Sequence, residues 1–178
     1  MQARLEIRTL TEADAQTWRE LRLRMLRDHP DVFGSSWEEF EPQTLEEVAR
    51  RMRERNSPPD NALFGAFMSG ALIGSTGLHR EEGAKDRHKA IIWGVYTTPE
   101  ARGRGVGRAL MEAAIARARE TPGVERLILA VATHNAAARA LYTSLGFTSW
   151  GLERRALKLP DRYIDEEFFA LELDDGAN

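Results

Sequence analysis

Residues 4–9 alternate apolar Leu5 and Ile7 with polar neighbours, the period-two pattern of a half-buried strand. From Trp18 onward the period lengthens, and Trp18, Leu21, Met25 and Leu26 recur at helical spacing. Ahead of them Thr11-Glu12-Ala13-Asp14 resembles a capping box, with Asp where Glu or Gln is usual. This helix should stop near Arg27, because His29 precedes Pro30 and the residue before a proline avoids the helical region. Residues 33–43 read as a loop that holds Phe33, Trp37 and Phe40 among Glu38, Glu39 and Glu41. Thr44-Leu45-Glu46-Glu47 is a second capping box and opens a helix to about Arg55.

After a loop at 56–61, residues 62–67 and 71–78 read as two strands of a hairpin turned by Ser69-Gly70. A charged loop, 80–88, leads to a strand at 90–97, then a glycine-rich turn and a helix at 106–120. Residues 124–132, VERLILAVA, are nearly continuous in apolar side chains, as in parallel strands buried on both faces. The unit 90–132 is therefore a βαβ crossover. A short Ala-rich helix, 135–144, is stopped by Gly146, and strands at 147–157 and 163–173 join through Pro160-Asp161. The fold class is α/β with a mixed sheet, mostly antiparallel with one parallel crossover pair, flanked by helices on both faces. No internal repeat or low-complexity segment interrupts it.

Composition narrows the function classes. With 178 residues, 42% hydrophobic and 30% charged, the chain suits one globular domain able to bury a core. A formal charge of −3 and a pI near 5.9 argue against general nucleic-acid binding. Zero cysteines exclude disulfides and thiolate metal sites, and no His/Asp/Glu cluster has metal-ligand spacing. The stretch Met1-Gln2-Ala3-Arg4-Leu5-Glu6 lacks a signal peptide's apolar core, and no run is of membrane-span length. A soluble cytoplasmic protein is expected.

The chemistry concentrates in Arg102-Gly103-Arg104-Gly105-Val106-Gly107-Arg108. Three glycines at every second position uncover successive backbone N–H groups, and the following helix points its positive end into the turn. That is an anion site, most often for phosphate. The dinucleotide fingerprint G-x-G-x-x-G fails here, since it needs Gly at Arg108 or Leu110, and no Gly-Lys-Ser/Thr follows. Arg-x-x-Gly-x-Gly does fit, as Arg102, Gly105 and Gly107, and it resembles the pyrophosphate signature of the GNAT N-acetyltransferases. A second stretch, Val131-x-x-x-Asn135-x-x-Ala138-x-x-Leu141-Tyr142-x-x-x-Gly146-Phe147, is similar to that family's distal motif. Seven residues is two helical turns, so Asn135 and Tyr142 share a face. On their own they read as a helix N-cap and a half-buried aromatic.

The resemblance is strong over residues 90–147 and rests on element order alone over 1–80. It implies acetyl-CoA as cosubstrate, no metal, and acetyl transfer to a primary amine. Arg102, Gly103, Arg104, Gly105, Val106, Gly107 and Arg108 would hold the pyrophosphate, and Asn135 would face the cofactor. Gly94 and the edge of Val95, Tyr96 and Thr97 would pair with the pantetheine arm, and an N–H of that strand would hold the oxyanion. Tyr142 would hydrogen-bond or protonate the departing thiolate. Many relatives carry a Glu in the strand before the turn, whereas residues 91–98 contain no carboxylate. His79 is the side-chain candidate for the base, ahead of Glu81 and Glu82, with a water chain or an already neutral amine as alternatives. Glu38, Glu39 and Glu41 beside Trp37 and Phe40 would either attract a cation or form a solvated acidic loop anchored by its aromatics. A small amine, an amino acid or a protein N-terminus would serve as acceptor. The other class of reading is a CoA-binding sensor without turnover. Family members often dimerise through the C-terminal strands, where Phe168-Phe169 lie.

Overall fold

The computed structural model describes residues 4–173. In chain order the elements are β1 (Leu5–Thr9), α1 (Ala15–Asp28), α2 (Trp37–Phe40), α3 (Leu45–Glu54), β2 (Asn61–Met68) and β3 (Ala71–Arg80). There follow β4 (Lys89–Thr97), α4 (Val106–Glu120), β5 (Arg126–Ala132), α5 (Ala136–Ser144), β6 (Thr148–Lys158) and β7 (Tyr163–Glu172). The strands form one seven-stranded sheet in the order β1-β2-β3-β4-β5-β7-β6. Only β4 and β5 run parallel; every other neighbouring pair is antiparallel. Among the described residues, no helix is long and apolar enough to cross a membrane.

Each face of the sheet has its own core, as its alternating side chains require. On one face α4 and α5 pack Leu110, Met111, Ala114, Tyr142 and Phe147 onto Phe64, Leu78, Ile92 and Leu129. On the other, α1 and α3 pack Trp18, Leu21, Met25, Val48 and Met52 onto Leu10, Leu63 and Leu72. Phe169 belongs to the first core and meets the Tyr142 ring at 6.3 Å, whereas Phe168 packs against Trp150 at 5.4 Å.

The expected loop at 33–43 contains a further element, the single turn α2. Ser36 and Glu39 cap it reciprocally: the Ser36 hydroxyl accepts from the Glu39 N–H at 3.2 Å, and the Glu39 carboxylate receives the Ser36 N–H. Phe40 is buried against Trp18, so the aromatics here anchor the segment and Glu39, of its three acids, caps the turn.

The chain parts at one place that matters for function. Strands β4 and β5 pair only over Lys89–Arg126, Ala90–Leu127 and Ile91–Ile128. Beyond Ile91, Trp93 stands opposite Gly77 and Tyr96 opposite Ser75, so Gly94 and Val95 together face Thr76. This is a β-bulge, with Gly94 at φ +61, and bulges bend the strand that carries them. The ends of β4 and β5 diverge past it.

The box read at Thr11 is present, and Asp14 also links it to β1. Its carboxylate accepts the Thr11 N–H at 2.8 Å and two Arg8 guanidinium bonds at 2.7 and 2.8 Å. The Arg8 bond, then the Thr11 N–H, hold the Asp14 carboxyl at about 2, below its ordinary 3.8. A lowered pKa contributes stability above the unfolded value, and that contribution disappears as pH falls through about 2. Asp14→Asn should therefore cost about 1 kcal/mol at neutral pH, allowing for solvent screening at the half-open Arg8. Urea unfolding should show the gap between variant and parent closing as the pH is lowered toward 2.

Candidate active site

The diverging strands open a groove of about 820 Å³ between the α1–α2 loop, the end of β4, the 102–108 turn and α5. The turn forms one wall because its backbone is held in conformations that favour glycine. Gly103 has φ +73, and Gly105, the N-cap of α4, has φ +78. A Cβ at either would meet nothing within 4 Å, so both glycines face open space. The N–H of Ala109 is the first in α4 to bond back, to the Gly105 carbonyl at 3.0 Å. The donors of Val106, Gly107 and Arg108 thus point out of the helix end toward the groove. Opposite them, the edge of β4 from Val95 to Thr97 has no partner strand on the β5 side.

The predicted arginines divide. Arg102 and Arg108 line the groove; Arg102 donates to His29 Nε2 at 2.9 Å, and Arg108 to Ser144 Oγ at 2.7 Å. Arg104 does not line it and reaches Met68 Sδ at 3.6 Å instead. Tyr96 lines the groove beside His29 and Phe33, whose rings lie 6.0 and 6.4 Å from its own. Its ring is buried in the α1 core, with its hydroxyl unpartnered. Asn135 caps α5 by accepting the Ala138 N–H at 3.2 Å, and it also borders the groove.

At Tyr142 the groove meets a second cavity of about 200 Å³. This one is walled by Phe33 and Gly34, Trp93 to Val95, Leu129 to Val131, and Glu166. Tyr142 is 5% exposed, and burial pushes its phenol well above its ordinary pKa. Glu166 is the carboxylate of this cavity. It stands opposite Ala132 of β5 and Glu153 of β6, and burial, then the Glu153 charge, raise its pKa. Sequence pattern could not single out Glu166, because β7 carries Asp165, Glu166 and Glu167 in a row and only the sheet register shows which faces inward.

His79 is not part of either cavity. It pairs with Ile91, at the end of β4 where β5 is still bonded, and its Nδ1 lies 2.9 Å from Asn61 Oδ1. The antiparallel course of β3 carries the end of that strand away from the opening. Two other histidines do line the groove: His29, through Arg102, and His134, whose Nε2 lies 3.2 Å from Asp31. Among the described residues no group of three His, Cys, Asp or Glu could hold a metal ion.

A split parallel pair, a glycine-rich helix start and a groove joining them define a class of domain able to take an extended, phosphate-bearing ligand. Residues 23–147 match the family model described as "Acetyltransferase (GNAT) family", and the chain belongs to that family. Among its relatives, a mycothiol acetyltransferase of Thermobispora bispora is 36% identical over 142 residues, 79% of this chain but 45% of that protein. The chain thus spans about half the length of the mycothiol acetyltransferases it matches. The N-alpha-acetyltransferase RimI of Mycobacterium tuberculosis is 35% identical over 149 residues, covering 84% of this chain and 82% of that one. The crystal structure of a ribosomal-protein-alanine N-acetyltransferase from Brucella melitensis superposes with a TM-score of 0.82 at 26% identity, over 94% and 99% of the two chains.

The positive φ at Gly105 has a measurable consequence. Gly105→Ala should cost about 1 kcal/mol through backbone strain alone. Gly107→Ala should be near neutral: it lies in the helix, and its new Cβ would meet Leu141 Cδ2 at an ordinary 3.4 Å. Chemical denaturation of the pair checks this, and equal stabilities would remove the conformational requirement at Gly105.

Proposed function

We propose that the chain is an acetyl-CoA-dependent N-acetyltransferase that acts on a primary amine. The observation that carries this reading is the continuous path from the free N–H groups of α4, along the unpaired edge of β4, to Tyr142 and Glu166. An open cradle of backbone donors at a helix start fits a pyrophosphate, and a bare strand edge fits an amide-bearing arm. Arg102 and Arg108 add charge at the cradle.

In this reading Val106, Gly107 and Arg108 hold the pyrophosphate through their N–H groups, and the β4 edge orients the acyl group. An N–H of Val95 to Thr97 stabilises the oxyanion. Glu166 accepts a proton from the acceptor ammonium, directly or through a water, and its raised pKa narrows the gap to the amine. The amine nitrogen then bonds the acyl carbon, the carbon–sulfur bond breaks, the nitrogen releases its second proton to water in the groove, and Tyr142 donates a hydrogen bond to the leaving sulfur. The relatives' names, an N-alpha-acetyltransferase and mycothiol acetyltransferases, are in keeping with an amine acceptor.

Thiol release from acetyl-CoA across a panel of amines tests the reading. Coenzyme A binding with no turnover on any amine, at several pH values, would favour a sensor instead. Where turnover is found, Tyr142→Phe should lower kcat at least about tenfold with little change in KM for acetyl-CoA. Glu166→Gln should lower kcat/KM by about the same factor and flatten the acidic limb of the pH profile. That limb should lie at a higher pH than an ordinary glutamate would give, because the Glu166 pKa is raised. An unchanged profile would leave Glu166 out of the chemistry.

A homodimer through β6 and β7 belongs to the same proposal. Phe169 is taken up by the core, but Trp150, Leu152 and Tyr163 on these two strands are 55%, 55% and 49% exposed. Sedimentation at micromolar concentration should give twice the chain mass, and a monomer would end the idea.

A further inference from the structure

A third cavity, of about 210 Å³, lies beneath α2 and between α1 and α3. Arg22 of α1 forms its floor and is only 8% exposed. Among the described residues no carboxylate lies within ion-pair distance of it. Its hydrogen bond runs from Nη2 to Ser35 Oγ at 3.0 Å. Arg51 of α3 and Arg55, its C-cap, line the same cavity from its solvent-exposed rim, also without a carboxylate at ion-pair distance, although Arg50 pairs with Glu54 and Arg53 with Glu12. Burial, then the Arg55 charge, push the Arg22 guanidinium down to about 10. Burial and Arg51 lower Arg55 as well.

A buried guanidinium without a counter-ion, with two more cations at the exposed rim above it, is an unfavourable arrangement for a folded protein. Aromatic rings offset part of it. Arg22 lies 5.8 Å from the Trp18 centroid and 5.7 Å from Phe40, and Arg55 stacks on Trp93 at 4.8 Å. The one acid in the lining, Glu39, is turned to the Ser36 N–H at 3.4 Å. Gln43, also in the lining, donates to the Glu39 carbonyl at 3.2 Å, and its Oε1 is buried and unpartnered.

We propose that this cavity is a binding subsite for a compact oxyanion, a carboxylate or a phosphate, held by Arg22, Arg51 and Arg55 with the hydroxyls of Ser35 and Ser36. It adjoins the acceptor end of the groove. A Cβ on Gly94 would lie 3.6 Å from Arg22 Nη1, and Gly34, which precedes Ser35, lines the cavity that holds Glu166. An anionic group on the acceptor would therefore find Arg22 while its amine faces Glu166, which deepens the acetyltransferase reading and rests on it. A free oxyanion entering the same cavity would use the same chemistry.

Inorganic phosphate and malonate, titrated at constant ionic strength and followed by thermal unfolding, decide whether the subsite exists. Both ions should raise the melting temperature of the parent saturably. With coenzyme A saturating the helix start of α4, the rise should vanish in Arg22→Met and weaken at least threefold in apparent affinity in Arg55→Gln. Without added anion, Arg22→Met should melt no lower than the parent, because a buried unpaired charge is replaced by a side chain of similar volume. Should Arg22→Met fail to fold, Arg55→Gln decides alone. No saturable stabilisation, or stabilisation undiminished in both variants, overturns the subsite.

Thiol release then separates the two sources. Amine acceptors bearing a carboxylate or phosphate should exceed their neutral analogues at least tenfold in kcat/KM, and Arg22→Met should erase that preference. Anion binding with no such preference would assign the cavity to a free ion. Absence of acetyl transfer to any amine would sink the acetyltransferase reading, while the titration still decides the subsite.

Discussion

The separation of β4 from β5 after Ile91 is the constraint on which the other features depend. A parallel pair bonded along its full length would leave no groove and no unpaired strand edge, and nothing between the helix start and Tyr142. The separation comes from one extra residue. Gly94 and Val95 share Thr76 as their partner, and Gly94 takes φ +61 to absorb the insertion. A side chain at Gly94 would be strained by that φ, and its Cβ would also approach Arg22. The same bulge therefore borders the groove on one side and the buried Arg22 guanidinium on the other. Bulges beside functional sites commonly have this character, since they turn a regular ladder into an opening without unfolding it.

The sheet supports this opening asymmetrically. Five strands, β1 to β4 together with β5 over its first three residues, form a continuous ladder, and α4 closes one face with a largely apolar core. On the other face α1 and α3 carry a core of similar kind, but α1 also buries Arg22 there, below Arg51 and the C-cap Arg55 at the surface. Dense packing fixes the buried Arg22 guanidinium as firmly as it fixes the apolar side chains, with Arg51 and Arg55 at the exposed rim. Charge held rigidly in a part-buried place is pre-organised for a ligand, because little reorganisation remains to be done on binding.

What was legible in the sequence was whatever is encoded locally. The glycine spacing of the 102–108 turn, the seven-residue interval from Asn135 to Tyr142, and the continuous apolar run of β5 each depend on near neighbours in the chain, and each is found in the folded protein. The capping boxes at Thr11 and Thr44 are of the same kind. The missed features are those that arise from register between distant segments. Glu166 faces the cavity because β7 pairs with β5 in one register, and a shift of one residue would turn it outward. His79 was placed too near the opening because its strand, read alone, does not reveal which end of β4 it meets. The α2 turn was hidden in a run of acids and aromatics with no helical period long enough to recognise. Arg22 lies on α1, where an arginine among apolar positions looks solvent-directed until α2 and α3 close over it.

The position of Tyr142 bears on how the proposed reaction handles its proton. Its ring is held in the core by Phe147 at 6.2 Å and Phe169 at 6.3 Å, so burial is built into the site. Burial disfavours the phenolate and raises the pKa further above that of a thiol, about 8.5. Full transfer of the phenolic proton to a thiolate would then run uphill, whereas a hydrogen bond to the developing negative charge gains from the same dry surroundings. Tyr142 is accordingly better suited to stabilise the leaving sulfur as a neutral donor than to act as an acid. The thiolate would collect its proton later, from solvent at the mouth of the groove. This division also suits the other end of the site, because a neutral Tyr142 adds no charge beside Glu166. The carboxylate is left to respond to burial and to Glu153, and its protonation state is set apart from that of the leaving group.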